Sequence, residues 1–373
     1  MDSTVFTVMV LGPSLNAVSG VSTHLNQLFH SSLAKEFNLL HFQVGSEGLK
    51  ESLISKSSRF LFSPIYFFWQ LIQKKPQIVH LNTSLVPKSY WRDIAYLFVA
   101  RIMGKKIVYQ VHGGALPQVL FRDSRLLTGL LKLVLSSADV VVLLAQEELL
   151  AYHNFVPAQS LEVIPNAIEI HADAQWKKTP SSQDGPLRLV YVGRLAENKG
   201  IFEIVEALRI LCSEGKNVQL VVAGSGPEEV RLRSHVEDLG LNDHISFVGA
   251  IFGEEKKLIW EEADLFVFPT YHCEGLPYTL LESMAARTPP VISPVGAIPD
   301  VMEDGVHGVF VSSRNPEALA MAIERLDSDR ALICRMGEAG RQRIENYYTV
   351  ARLAGDFRKI YNNLGSRLAE TIC

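Results

Sequence analysis

FVFPTYHCEGLPYTLLESMAA, Phe266 to Ala286, reads as a strand ending at Pro269, a polar turn and a helix. Pro277 sits where a first helical residue tolerates proline, because the N–H it lacks would have no intrahelical partner there. The turn therefore aims a helix N-terminus outward from a sheet. The backbone N–H groups around the Gly275-Leu276-Pro277 corner and on to Tyr278, with the positive end of the helix dipole, make a site for phosphate, and Gly275 lets an anion approach closely. Glu282 lies five residues into the helix, about 7 Å along it, so a diphosphate over the N-terminus leaves a ribose within reach of its carboxylate. Glu274, just outside the helix, faces the sugar beyond the diphosphate. Two carboxylates with one anion site between them point to a nucleotide-sugar.

The same strand-then-helix unit recurs outward in both directions, which is the pattern of parallel sheets with crossover helices and sets the class as α/β. In the first half the strands are Thr7 to Gly12, Leu39 to Val44, Ile78 to Asn82, Ile107 to His112, Val140 to Leu144 and Glu162 to Ile164. Between His171 and Pro186 the sequence HADAQWKKTPSSQDGP loses periodicity and gathers loop-forming residues. A second series follows: Leu187 to Val192, Val218 to Ala223, Ile245 to Val248, Leu265 to Pro269, Pro290 to Ser293 and Val309 to Val311. The expected organisation is therefore a domain over 1–170, a linker over 171–186, a second domain over 187–348, and a C-terminal helix over 349–373 whose docking the pattern leaves open. Ligands of such sheets bind where loops leave the carboxyl ends of strands.

At 373 residues the chain suits two α/β domains, and its 47% apolar and 20% charged composition excludes a disordered or fibrous protein. The net charge of -4 hides an asymmetry: residues 1–178 carry 16 Lys and Arg against 12 Asp and Glu, and the remainder 20 against 28. That mild excess reads either as scattered solvated lysines or as a face for an anionic membrane. Cys212, Cys273, Cys334 and Cys373 show no metal or disulfide spacing, and the N-terminus lacks the basic region of a signal peptide, so a cytoplasmic location is expected. Phe60 to Ile72, flanked by Arg59, Lys74 and Lys75, is too short to span a bilayer. It reads as an ordinary buried helix or as a surface in the first domain that touches lipid or a lipid-linked acceptor.

YVGRLAENKG, Tyr191 to Gly200, follows the first strand of the second domain. Arg194 and Lys199 flank a turn that opens a helix, so two cations converge on a diphosphate and stabilise the charge that grows on it as a glycosidic bond breaks. Together with VAGSGP at Val222 to Pro227 and the two glutamates of EGLPYTLLE, these residues resemble the retaining GT-B glycosyltransferases of family 4, as does VIPNAI at Val163 to Ile168. The likeness is strong from Val163 to Gly308 and looser before it. It implies two Rossmann-like domains with parallel sheets facing a cleft, and transfer of a sugar from a UDP- or GDP-linked donor to an acceptor hydroxyl with retention. It further implies Arg194 and Lys199 on the diphosphate, Glu282 on the ribose, Glu274 on the transferred sugar, and Gly224 and Ser225 near the base. In the first domain, GPSLNAVSGVSTHL resembles the family's glycine-containing loop, bringing Gly20 toward the diphosphate, and His112 of YQVHGG aligns with a histidine near the donor sugar. The acceptor is expected to be a glycan or lipid-linked glycan of the cell envelope, with no nucleic-acid partner.

Other signals are set aside. Asp327-Ser328-Asp329 spells a DxD that chelates metal elsewhere, but it falls at a helix end and reads as surface, so no metal or other cofactor is expected. GSGPEE, Gly224 to Glu229, carries a glutamate that would repel the pyrophosphate of a dinucleotide, and no histidine spacing suggests zinc. Cys273 reads as filler rather than a nucleophile. A nucleotide-sugar epimerase of the same architecture and a catalytically silent sugar-binding subunit stand as rivals, the latter disfavoured because a dead site has no need of all four charged residues.

Overall fold

Strands with unbroken runs of Val, Ile and Leu need cover on both faces, and this chain supplies it with helices. The computed structural model describes residues 6–45, 52–170, 185–272 and 274–372. Cys273 and most of the expected linker lie outside the described residues. The chain divides into two units, Met1–Glu169 with Thr349–Cys373, and Ile170–Tyr348.

In the first unit β1 (Thr7–Gly12), β2 (Asn38–Gln43), β3 (Ile78–Leu85), β4 (Lys106–Gly114), β5 (Val140–Leu143) and β6 (Leu161–Val163) form one sheet in the order β2-β1-β3-β4-β5-β6. Every pairing is parallel. Alternate residues of β1 feed opposite cores. Val8 and Val10 pack with Leu25, Phe357 and Tyr361, whereas Met9 and Leu11 pack with Phe67, Tyr96 and Leu97. The C-terminal helix Val350–Ile372 thus supplies one wall of the first unit, and Arg352 ties it down by donating to the carbonyls of Pro165 and Asn166.

The second unit holds β7 (Leu187–Val192), β8 (Val218–Ala223), β9 (Ile245–Gly249), β10 (Leu265–Phe268), β11 (Pro290–Ile292) and β12 (Val309–Phe310). They form a parallel sheet in the order β12-β11-β10-β7-β8-β9. The chain winds outward from β7 to β9, returns to the other side of β7 with β10, and continues to β12. Between β7 and β10 the winding reverses, and it is at such a switch point that ligands of open α/β sheets bind.

Helix Leu53–Lys74 departs from the buried reading of Phe60 to Ile72. Only one side of it enters the core, through Phe67 and Leu71, while Leu61, Phe62, Ile65, Tyr66, Phe68, Trp69 and Ile72 are exposed. The segment has apolar residues on both faces, so hydrophobicity alone did not reveal which one was covered.

Candidate active site

The loops after β7 and β10 are stitched into one assembly by backbone bonds. Tyr271 and His272 both donate their N–H to the carbonyl of Asn198, at 3.1 Å each. The Thr270 hydroxyl lies 3.2 Å from the same carbonyl and 3.0 Å from Glu274 Oε1. Across this seam the Lys199 ammonium meets Glu274 Oε1 at 2.5 Å, with the two side chains only 17% and 11% exposed. Lys199 closes the short helical turn Glu197–Lys199, and its Nζ also lies over the Phe268 ring. The sheet therefore brings together two of the four expected charged residues, 75 positions apart in sequence.

Arg194 leaves β7 two residues beyond its end and is exposed. Its carbonyl accepts from Tyr191 Oη at 2.7 Å, and burial, then the Glu274 charge, pushes the Tyr191 phenol up, so it stays protonated and able to donate. Among the described residues the Arg194 guanidinium makes no ion pair. Gly224 and Ser225 lie alongside: Leu195 donates its N–H to the Ser225 carbonyl at 3.0 Å. Gly224 holds φ at 148°, and a Cβ there would sit 1.8 Å from the Gly193 carbonyl oxygen, so only glycine lets the two loops touch. Gly296 plays the same part beneath the other loop, where a Cβ would meet the Glu274 carbonyl oxygen at 1.9 Å.

Helix Tyr278–Ala285 begins one residue later than expected, with Pro277 as its cap. Proline still suits the place, since its φ of -65° is already that of the helix to come. Leu276 is buried under this corner, and Gly275 accepts from Ala297 N–H at 3.3 Å. Glu282 sits in the helix, where Lys256 of helix Gly253–Glu262 comes within 2.6 Å of its Oε2 and 2.8 Å of its Oε1. Lys256, Asn198 and Thr270 were not singled out from sequence. Thr270 and Asn198 lie in the quoted motifs, but Lys256 sits in a charged run, GEEKK, that resembles any solvated helix.

Gly20 and His112 belong to the first unit. Gly20 is the first residue of helix Gly20–His30, behind the capping hydroxyl of Ser19, rather than a loop residue. That helix seats His24 edge-on to His112, ring centroids 4.7 Å apart. His112 lies inside β4, two residues before its end. Asn82 donates to the Leu11 carbonyl, so its Oδ1 is left to accept from His112 Nε2 at 2.9 Å. The ring then carries its proton on Nε2 and presents a lone pair at Nδ1. Burial, with His80 nearby, pushes His112 down to about 3, so near neutral pH it accepts a hydrogen bond rather than supplying a proton. His80 is likewise held near 3 by burial, and His24 well below its ordinary value.

The DxD residues are spent locally. Asp327 pairs with Arg330 at 2.7 Å, and Asp329 caps helix Arg330–Tyr347 by accepting from Leu332 N–H.

The family model described as Glycosyl transferases group 1 matches residues 173–343. The amylovoran biosynthesis glycosyltransferase AmsK of Erwinia amylovora is 33% identical over 44% of this chain and 41% of its own length. The chain spans about half or less of the length of the curated relatives that it matches at 30% identity or more. Among solved structures, sucrose-phosphate synthase from Thermosynechococcus elongatus superposes with a TM-score of 0.76 at 19% identity, covering 97% of this chain and 100% of that one. Anabaena HepE in complex with UDP and glucose gives 0.72 at 14% identity, covering 95% and 99%. The chain thus has the GT-B fold of glycosyltransferases, and within it residues 173–343 match the glycosyl transferases of group 1.

Proposed function

We propose that this protein transfers a sugar from a nucleoside diphosphate donor, UDP- or GDP-linked, to an acceptor hydroxyl of a glycan or lipid-linked glycan, with retention at the anomeric carbon. The observation that carries the reading is the Lys199–Glu274 pair at the reversal point of the second sheet, beside the start of helix Tyr278–Ala285. Arg194 and Lys199 bind the diphosphate and neutralise the charge it gains as the bond to the sugar breaks. Glu274 holds the transferred sugar and stabilises its oxocarbenium-like state, and Glu282, steered by Lys256, holds the ribose. Gly224 and Ser225 flank the base, and the Gly275-Leu276-Pro277 corner supports the phosphates. The bond from the sugar carbon to the diphosphate oxygen breaks with its electron pair going to the diphosphate. The acceptor oxygen then bonds to that carbon, and its proton passes to a phosphate oxygen of the leaving group. Two cations and a helix dipole supply the positive charge, so no metal or other cofactor enters this scheme.

Support for the donor class comes from the neighbour HepE, whose structure holds UDP and glucose, and for a polysaccharide role from the relative AmsK, named for amylovoran biosynthesis. The test is a thermal-shift series against nucleoside diphosphates and their sugars, followed by incubation of the preferred donor alone and with candidate acceptors. Stabilisation by a nucleoside diphosphate sugar, with release of nucleoside diphosphate that acceptor accelerates, is expected. An epimerised donor without transfer, or no stabilisation by any nucleotide, overturns the reading.

A further inference from the structure

From Ser52 through Lys88 the sequence contains Lys56, Arg59, Lys74, Lys75 and Lys88 and neither Asp nor Glu. Helix Leu53–Lys74 occupies the first half of this stretch. Its inner side is fixed: Phe67 packs edge-on to Phe42 and Tyr96 at 5.1 and 5.4 Å between ring centroids, and Tyr96 Oη lies 2.8 Å from Ser63 Oγ. At about 100° per residue, the outward side chains from Phe68 through Leu61, Ile72, Ile65, Trp69 and Phe62 to Tyr66 span an arc of about 160°, within which the exposed polar Gln73 also projects. They are large and open to solvent, with Leu61 at 65%, Phe62 at 63% and Trp69 at 55% exposure. A rigid helix that spends this much apolar surface on water is shaped for something that will cover it.

We infer that this helix lies in the headgroup region of an anionic lipid surface, apolar arc down. Three features select lipid over a second protein. The arc mixes aliphatic chains with Trp69 and Tyr66, the aromatic types that favour the boundary between hydrocarbon and water. Lys74 and Lys75 stand exposed at one end of the arc, and no carboxylate anywhere along the helix opposes an acidic headgroup. Among the described residues no helix is long and apolar enough to cross a membrane, so on lipid this helix would lie along the surface. The contact is separate from the Lys199–Glu274 assembly, which belongs to the other unit.

The experiment is co-sedimentation of the full chain with vesicles of phosphatidylcholine alone and of equimolar phosphatidylcholine and phosphatidylglycerol, at low and high salt. Binding to the anionic vesicles, weakened by salt, is expected. Phe62→Ser and Trp69→Ser each weaken it about tenfold or more, and Lys74→Gln and Lys75→Gln about fivefold each while flattening the salt dependence. These side chains point away from the core, so circular dichroism should report an unchanged melt. If one variant fails to fold, Ile65→Ser or Ile72→Ser tests the same arc. No binding to either vesicle, binding indifferent to the arc, or a dimer that Trp69→Ser dissociates overturns the inference, the last by putting a second copy on this face. Donor affinity measured calorimetrically on the same variants stays unchanged, which separates this contact from the transfer reading.

Discussion

Replacing Lys199 with Met tests the assembly at its centre. With the ammonium 2.5 Å from Glu274 Oε1 and both groups under one-fifth exposed, the gross attraction at an effective dielectric of about 20 is about 7 kcal/mol. Most of that is offset by removing two charges from water, which leaves a coupling of about 1–3 kcal/mol. The cycle is Lys199→Met, Glu274→Gln and the double variant, read by urea denaturation. Lys199→Met should be the costlier single change, because it strands a carboxylate that keeps, among the described residues, the Thr270 hydroxyl at 3.0 Å. On turnover, loss of the cation should cost about two decades, the range seen when one donor to a developing negative charge is removed. A coupling under about 0.3 kcal/mol would refute the pair as a structural unit. Turnover within about threefold of the parent would refute the phosphate role, since a group that stabilises growing charge cannot be removed so cheaply.

Glu282→Ala should weaken donor binding by about two decades in isothermal calorimetry, because two charge-assisted hydrogen bonds to the ribose go with it. Lys256→Met, which frees Glu282 from its 2.6 Å partner, should weaken binding by about one decade or less and leave kcat nearly intact; equal losses in both would reject the steering role. Gly224→Ala should lower stability by about 2 kcal/mol or more, since φ of 148° and the Gly193 oxygen both oppose a methyl; a melt within one degree or so of the parent would contradict the close approach. Acid should undo the first unit selectively. His24 and His80 are fully enclosed and held neutral below their ordinary value, so only the unfolded chain takes up their protons as pH falls below about 6.5. Their contribution is complete above that pH and shrinks as pH falls, by about 2 kcal/mol for His80 by pH 5. Hydrogen exchange should show the β1–β6 sheet opening first, and His80→Gln should shallow the pH slope.

Much of this architecture was legible because the strands punctuate themselves. Val and Leu runs that stop at Gly12, Val192 and Ala223 delimit β1, β7 and β8 as expected from sequence, since a glycine or a turn follows each. β3 and β4 run longer than their apolar cores. Asn82 and Thr83 pair in register with Gln110 and Val111, and their buried side chains are satisfied by the Leu11 carbonyl and Asp93, so polar residues continue a strand that hydrophobicity would end. The glutamates and cations of the site could be named from their motifs. Strand order could not, and it is the neighbourhood of β7 and β10 that turns Lys199 and Glu274 into partners. Lys256 and His24 were hidden for a related reason: each acquires meaning from a residue far along the chain, Glu282 for one and His112 for the other.

The return of helix Val350–Ile372 to the first unit also fixes the order in which the chain can mature. Phe357 and Tyr361 close around His80, and Tyr361 donates to its Nδ1 at 2.7 Å, so that core stays open on one side until the chain has been made through Tyr361. The second unit is one continuous segment and has all its parts sooner. During synthesis the N-terminal sheet is therefore the last to be finished, and a nascent chain halted near Tyr348 would expose a greasy, histidine-bearing flank to chaperones while its later-made half already stands folded.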